Sequence, residues 1–338
     1  MEPPLVLGPM AGTTSRAFRL LCRRAGAGLV CSEMASIRAI SQGNPRTLGL
    51  LRTFPGEHPV SVQLFGSDPA LMAEAVARAE AAGADIIDIN MGCPVPKVRR
   101  ADAGVALLSE PHRAVALTAA AVAAASVPVT IKMRAGLVAG DDSYLELARR
   151  AQDVGAAAVA LHARSAGQAF SGKADWGEIA RLVAAVDVPV IGGGDISTPQ
   201  DAPRMMRETG CAAVMVARGA WGRPWFFGQA SAALRGEPIP PDPPPGQRLA
   251  VALLHAQMLV LDLDERIAMH QMRMQMHHYV RGLPRARELC GVVARVHTLD
   301  ELRAVVHQYL AELHTGEVEG APAPQPTGAT CRQGRDQP

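Results

Sequence analysis

Apolar positions follow two alternating patterns over the first two-thirds of the chain. Short runs of β-branched and other apolar residues recur, and most are followed by a longer segment whose apolar residues lie three or four positions apart. The short runs predict buried strands, and the longer segments predict amphipathic helices. Apolar runs without polar alternation are typical of a parallel sheet covered by helices. The predicted strands are residues 5–7, 29–31, 60–63, 86–89, 129–132, 158–161, 188–191 and 213–216.

The number of repeats selects the fold. Eight strand–helix units fit one (β/α)8 TIM barrel better than a doubly wound sheet, which commonly has about five or six strands. We therefore predict an α/β fold of the TIM-barrel type. Residues 36–43 show the helical pattern least clearly. The best-defined predicted helices are residues 69–82, 111–125, 144–154, 176–186 and 199–209.

A proline-rich segment divides the chain. Residues 237–246 can form neither a helix interior nor a central strand, so we interpret them as a stiff linker. The barrel is expected to occupy residues 1–236, and residues 247–315 are expected to form a small all-helical unit. The last segment, 316–338, is rich in Gly, Ala, Pro and Gln and is expected to be disordered.

Composition narrows the class of protein. Of the 338 residues, 48% are hydrophobic and 20% charged, and no apolar run approaches the roughly 20 residues of a membrane span. The first residues do not resemble an export signal. We expect a cytoplasmic monomer without a membrane partner. The six cysteines form no CxxC pair, so neither a zinc site nor any other metal is expected. The net charge of +2 neither identifies nor excludes a polyanionic partner.

Two neighbouring strand ends have features of a phosphate site. In a TIM barrel the active residues follow the carboxyl ends of the strands. Glycines 192–194 follow strand 7, and Arg218 follows strand 8. Backbone N–H groups can approach a phosphate closely there, and a guanidinium adds a charge-assisted contact. The alternative is that the glycines only permit a tight turn.

Other strand ends carry reactive side chains. Cys93 follows strand 4 in a Gly-Cys-Pro sequence and is a candidate nucleophile or general acid, or else an inert buried thiol. Lys132, after strand 5, suits a Schiff base or a fixed cation beside a cofactor ring, or is a solvated rim charge. His162 is a candidate proton donor and Arg134 an anion partner. Gln63 offers an amide able to bind the edge of a ring.

These segments, in this order, resemble the tRNA-dihydrouridine synthases, and most nearly the bacterial B-type branch. The resemblance covers about residues 3–315. The Asn-x-Gly-Cys-Pro sequence at 90–94 is highly specific, whereas the other segments are shared with flavin barrels in general. The segments that carry the resemblance are residues 8–12, 62–64, 88–94 with 97–98, 131–134, 162–164, 194–196 and 218–219.

The resemblance implies an FMN enzyme, with NADPH as a reductant that docks transiently at the barrel mouth. It implies that Cys93 donates a proton to uracil C5 while a hydride from reduced FMN reaches C6. Asn90, Lys97 and Arg134 are implied to contact the uridine, and His162 is implied to contact it as well as the cofactor. The implied cofactor-binding residues are Pro9, Met10, Ala11, Gln63, Lys132, His162, Gly193, Gly194, Asp195, Ala217 and Arg218.

The helical unit bears on the substrate. Residues 266–299 carry six arginines and only one acid, which suits a phosphate backbone. We expect this unit, including Arg273 and Arg281, to bind tRNA; the alternative is a solvated helical face in an arginine-rich protein. Two positions depart from the family pattern: Gly193 replaces an Asn, and Gln275 replaces a Lys.

The resulting hypothesis is NADPH-driven, FMN-dependent reduction of specific uridines in the tRNA D-loop. A flavin oxidoreductase of the dihydroorotate or dihydropyrimidine kind is an alternative, because it would use the same barrel and a loop cysteine. An RNA-binding chaperone on an inactive barrel and a Schiff-base aldolase are two further alternatives. The arginine-rich unit argues against a small substrate, since a small molecule does not require it.

Overall fold

The computed structural model describes residues 1–314. Two compact units divide the chain, with the boundary between Pro243 and Pro244. This boundary falls inside the proline-rich segment 237–246. The segment 316–338, expected to be disordered, lies outside the described residues, as do residue 315 of the expected helical unit and Cys331.

The first unit is a closed barrel of eight parallel strands. Each strand pairs with its neighbours in chain order, and β1 pairs with β8 to close the barrel. A two-residue strand, Ala35–Ser36, adds to the carboxyl end of β3. The predicted TIM barrel is confirmed. The strands are β1 Leu5–Leu7, β2 Leu29–Cys31, β3 Val60–Phe65, β4 Ile86–Met91, β5 Val129–Arg134, β6 Ala158–His162, β7 Val190–Gly193 and β8 Ala213–Val216.

Helices surround this barrel. The region 36–43, where the pattern was least clear, contains the short helix α2 (Ile37–Ser41), and a second short helix, α3 (Pro45–Leu51), follows it. Gly43, at φ +68°, ends the first, and Asn44 caps the second by accepting a hydrogen bond from the backbone N–H of Thr47. The helices are α1 Arg16–Arg24, α2 Ile37–Ser41, α3 Pro45–Leu51, α4 Pro69–Ala81, α5 Pro96–Arg99, α6 Pro111–Ala124, α7 Ser143–Asp153, α8 Trp176–Val183, α9 Asp201–Thr209 and α10 Phe226–Arg235; Gly104–Ser109 and Arg218–Ala220 are 3-10 turns.

Alternation along the strands produces two apolar layers. One set of side chains, including Leu5 and Leu7, packs outward against the helices. The other set fills the inside of the barrel with Val6, Cys31 and Met215 and their neighbours. The polar inward-facing residues lie toward the carboxyl ends of β3, β4 and β5, so the apolar filling leaves a polar layer at the mouth.

The second unit contains four helices and, within residues 244–314, no strand. Its first helix begins at Pro245, inside the expected linker, because proline is tolerated in the first turn of a helix. Within residues 1–314, no helix combines the length and the apolar character that a membrane crossing requires. The helices are α11 Pro245–Asp262, α12 Glu265–Tyr279, α13 Ala286–Val293 and α14 Leu299–His314.

Candidate functional site

The polar layer at the barrel mouth is built from neighbouring strands. Gln63 of β3 pairs in register with Asp88 of β4, and Asn90 of β4 pairs with Lys132 of β5. Lys132 and Gln63 each lie two residues before the end of their strands, since β5 continues to Arg134 and β3 to Phe65. The interpretation of Lys132 as a rim charge is therefore wrong.

A chain of hydrogen bonds connects this layer to the loop that carries the cysteine. Asp88 accepts from Gln63 Nε2 at 2.7 Å and from Thr130 Oγ1 at 2.6 Å. Gln63 Oε1 accepts from Asn90 Nδ2 at 2.7 Å. Asn90 Oδ1 in turn accepts from the backbone N–H of Cys93 at 3.0 Å. The four linked side chains are all buried, so the layer is a rigid floor beneath the mouth.

Asp88 and Lys132 are opposite charges inside the barrel. Burial raises the pKa of Asp88 to about 6, against the lowering effects of its two hydrogen bonds and of Lys132. Burial lowers the pKa of Lys132, and the Asp88 carboxylate opposes that change. The sequence reasoning did not select Asp88. Its signal was one acid within the apolar run 86–89.

Cys93 is half-buried and retains its proton. Burial raises the pKa of its thiol, although Arg134 and Lys132 act in the opposite direction. The cysteine loop is also held from its other side, because the backbone N–H of Val105 donates to the Cys93 carbonyl at 3.1 Å. Just beyond the loop, Lys97 is exposed on α5. A fixed loop presents a neutral thiol at the mouth.

The surroundings of Arg134 and His162 restrict the roles that the sequence predicts for them. The Arg134 guanidinium is buried and donates to the carbonyls of Gly92, Ser165 and Ala169 at 2.7 to 3.0 Å, so it braces two loops. Its contact with the uridine stays a prediction. Burial, together with Lys132 and three nearby arginines, lowers the pKa of His162 to about 2. These effects favour the neutral imidazole, which binds through hydrogen bonds, and they argue against a role for His162 as a proton donor.

Phe170 is an aromatic residue at the mouth that sequence reasoning missed. Its side chain is 59% exposed. The guanidinium carbons of Arg134 and Arg218 lie 5.4 and 5.0 Å from the centre of its ring, and the His162 ring lies 6.3 Å away. An exposed ring beside two cations is a surface against which guanidinium groups are ordered. Only its position in a polar loop after β6 offered a signal.

The predicted phosphate loop is shorter than the run of glycines. Gly192 and Gly193 belong to β7, and only Gly194 begins the loop. A Cβ at Gly192 would lie 2.8 Å from Met205 Sδ, so this glycine permits close packing against α9. The expectation that all three glycines form the loop is therefore wrong, because the first two continue the strand.

The backbone that follows is held in an unusual shape. Gly194 and Asp195 have φ of +125° and +55°. Trp176 Nε1 donates to the Gly194 carbonyl at 2.9 Å. The Asp195 carboxylate accepts from Arg164 and from the backbone N–H of Ala174, both at 2.8 Å. The Asp195 side chain therefore fixes the loop, and its backbone is the part available to a ligand.

The loops after β7 and β8 touch. A Cβ at Gly219 would lie 2.2 Å from the Ile196 carbonyl oxygen. Ala217 begins the turn that carries Arg218, and the half-exposed Arg218 guanidinium lies 3.7 Å from the Asp195 carboxylate. The first N–H groups of such a turn have no acceptor within it. A cation with nearby backbone donors suits a phosphate group.

The loop after β1 borders the same mouth. Pro9 and Met10 are half-buried and Ala11 is exposed. Thr14 Oγ1 accepts from the backbone N–H of Met10 and donates to its carbonyl, both at 3.1 Å. Glu33 accepts from the next glycine, residue 12, at 2.7 Å. These bonds give the loop a defined shape.

The two arginines predicted to bind tRNA differ in their surroundings. Arg273 is half-buried and donates to the Val296 carbonyl at 2.9 Å, so it braces the helical unit. Arg281 is exposed at the end of α12, and Gln275 is buried. Arg287 and Arg295 are also exposed. In the part of the chain that the structure describes, no group of three His, Cys, Asp or Glu side chains is arranged to hold a metal.

Comparison with known proteins gives concordant results. The family model described as dihydrouridine synthase (Dus) matches residues 6–314. A probable tRNA-dihydrouridine synthase of Mycobacterium tuberculosis is 39% identical over 347 residues. That alignment covers 99% of this chain and 87% of the Mycobacterium protein. The tRNA-dihydrouridine synthase B of Xanthomonas axonopodis pv. citri is 38% identical, with 94% and 95% covered. Histamine dehydrogenase from Rhizobium sp. 4-9 shares the fold, with a TM-score of 0.55 at 13% identity over 75% of this chain and 49% of that one.

Proposed function

The chain belongs to the dihydrouridine synthase family, and from that membership we propose that it reduces the C5–C6 double bond of specific uridines in the tRNA D-loop. The proposed cofactor is FMN, with NADPH as the reductant. The observation that carries the proposal is the placement of Cys93, a protonated thiol on a braced loop above a buried polar floor.

The residues at the mouth fit FMN. The resemblance implies that Gln63 and Lys132 bind the edge of a flavin ring. Gln63 already bonds Asp88 and Asn90, which leaves one amide hydrogen and one lone pair of its side chain for a ligand. Gly194 and Arg218 supply backbone and guanidinium donors for a phosphate. When bound, FMN supplies the hydride that reaches uracil C6.

The protein itself supplies the proton. Cys93 holds a proton on Sγ at neutral pH, because burial raises the pKa of the thiol. That proton passes to C5 as negative charge develops there. His162 is neutral, so it orients the base by hydrogen bonding and does not compete as an acid.

The target uridine must leave its stack to reach the barrel. We propose that the helical unit binds the tRNA backbone, with the exposed Arg281, Arg287 and Arg295 contacting phosphates. Exposed arginines are better placed for this role than Arg273, whose guanidinium already binds the Val296 carbonyl.

Nucleoside mass analysis tests the proposal. Unmodified tRNA is incubated anaerobically with the full-length protein, FMN and NADPH, and dihydrouridine is expected. Cys93→Ala is expected to retain FMN and tRNA affinity but to form no product. NADPH oxidation without dihydrouridine would contradict the tRNA substrate and favour a small-molecule flavin oxidoreductase.

A second pair of variants tests how tRNA is bound. Arg281→Glu with Arg287→Glu is expected to weaken tRNA binding and to leave NADPH oxidation without tRNA unchanged, because both side chains are exposed. Arg303→Glu, in the same unit but outside the arginine-rich segment, is the matched control. Unchanged tRNA affinity in the double variant would contradict the proposed role of the helical unit.

A further inference from the structure

The buried carboxylate of Asp88 is the end point of a directional chain. Backbone N–H groups only donate, so the Cys93 N–H requires the oxygen of Asn90 to face it. The Asn90 amide nitrogen must then face Gln63, whose oxygen accepts. Gln63 is left with its own nitrogen toward Asp88, where a carboxylate is an acceptor only. Every donor in the chain therefore points toward Asp88.

We propose that Asp88 is a positioning residue whose carboxylate anchors the far end of the chain of Gln63 and Asn90 amides and, through them, the position of the Cys93 loop. The inference rests on the proposed function in one respect, namely that Cys93 is the proton donor. Asp88 itself need not touch the substrate.

Reversing the chain is physically unfavourable. If the Gln63 amide were turned over, its oxygen would face the Asp88 carboxylate and its N–H₂ would face the Asn90 N–H₂, each across 2.7 Å. Both contacts would be between like groups on buried side chains, where such contacts are costly. The second Asp88 oxygen is held by Thr130 at 2.6 Å, so the carboxylate cannot rotate freely. The Asp88 carboxylate at one end, and the backbone N–H groups of Gly92 and Cys93 at the other, thus favour the same orientation of both amides.

Substitutions at Asp88 separate the acceptor from the charge. Asp88→Leu and Asp88→Ala remove the acceptor, and the alanine variant adds no bulk, so it decides the question if the leucine variant does not fold. Asp88→Asn removes the charge but keeps an oxygen for Gln63, because its N–H₂ can face the Thr130 hydroxyl, which turns to accept. Thr130→Val is the matched control, since it damages the network and leaves the Gln63–Asp88 bond in place.

The measurement is the rate at which iodoacetamide alkylates Cys93 in the full-length protein, followed by peptide mass analysis. Cys290, half-buried in the helical unit, is the internal reference. The rate at Cys93 is expected to rise about fivefold or more in the alanine and leucine variants, because an unsatisfied donor loosens the loop. It is expected to stay within about twofold of wild type in Asp88→Asn and in Thr130→Val.

Two results would overturn the inference. One is an unchanged Cys93 rate in Asp88→Ala, and the other is an equal rise in Asp88→Asn, which would assign the effect to charge. Alkylation requires neither flavin nor tRNA, so its result is separate from the assay for dihydrouridine. Failure of the proposed function would thus be distinguished from failure of this inference.

Discussion

Three consecutive glycines at the end of β7 are expected to respond differently to the same substitution. A Cβ at Gly193 would meet its nearest neighbours, Met215 Cβ and the Met215 carbonyl oxygen, at 3.5 Å, which is ordinary contact. A Cβ at Gly194 would lie 2.7 Å from Ala174 Cβ, on a backbone with φ of +125°. At Gly192 the obstacle is the flexible Met205 side chain, 2.8 Å away. The three alanine variants should therefore differ in stability, because the same added methyl group meets different surroundings at each position.

The expected magnitudes follow from these contacts. Gly193→Ala is expected to be neutral or to raise the free energy of unfolding by about 0.4–1 kcal/mol, because it restricts the unfolded chain. Gly194→Ala is expected to lower it by about 1–3 kcal/mol through backbone strain. In a unit of this size, each kcal/mol changes Tm by about 2–4 °C. Gly192→Ala is expected to lower the free energy of unfolding by about 1–2 kcal/mol, between the other two variants, since the Met205 side chain can move.

The assay has two parts, thermal unfolding without FMN and FMN affinity by flavin fluorescence. Gly193→Ala is expected to bind FMN as wild type does, because Gly193 is a strand residue at which a Cβ makes only ordinary contacts. Gly194→Ala is expected to bind FMN at least about tenfold more weakly, since about 1.4 kcal/mol of loop distortion suffices. A Gly193→Ala variant as damaged as Gly194→Ala would refute this reasoning.

Three other predictions concern single side chains. Glu57→Gln is expected to lower the free energy of unfolding by about 3–5 kcal/mol, because Glu57 and Arg19 form a buried pair at 2.7 Å. Chemical denaturation of Glu57→Gln, and of the double variant Glu57→Gln with Arg19→Met, measures this change. A loss of less than about 1 kcal/mol in Glu57→Gln would contradict the prediction. Burial lowers the pKa of His255 to about 3, below its unfolded value. The unfolded state therefore gains the proton first, and stability present above about pH 6.5 is lost by roughly 1–1.5 kcal/mol per unit as the pH falls toward 3. Melting curves at pH 7 and pH 5 should show a smaller loss in His255→Gln, and an equal loss would count against this cause. Phe170→Leu is expected to leave Tm within about 2 °C and to raise the KM for tRNA several-fold, because the half-exposed Arg218 guanidinium loses the ring beside which it lies. Steady-state kinetics with an unchanged KM would exclude that role.

Local patterns in the sequence were enough to determine the fold. Strand and helix periods depend on which side of an element is buried, and that information is written along the chain. The barrel and most of its helix positions followed from it. The placement of the candidate residues at one end of the barrel also followed, since parallel strands bring their carboxyl ends together. Cys93 was found in this way, and so was the Arg218 loop.

Side-chain partnerships were decided by tertiary structure. Gln63 and Asp88 are 25 positions apart, and only the register of β3 against β4 places their side chains together. The sequence predicts that Arg134 binds an anion, but folding engages its guanidinium with carbonyls of two loops. Burial among cations lowers the pKa of His162, so the neutral imidazole is favoured. Sequence gives the identity of each group, whereas its partners, its burial and its pKa depend on what the fold places around it.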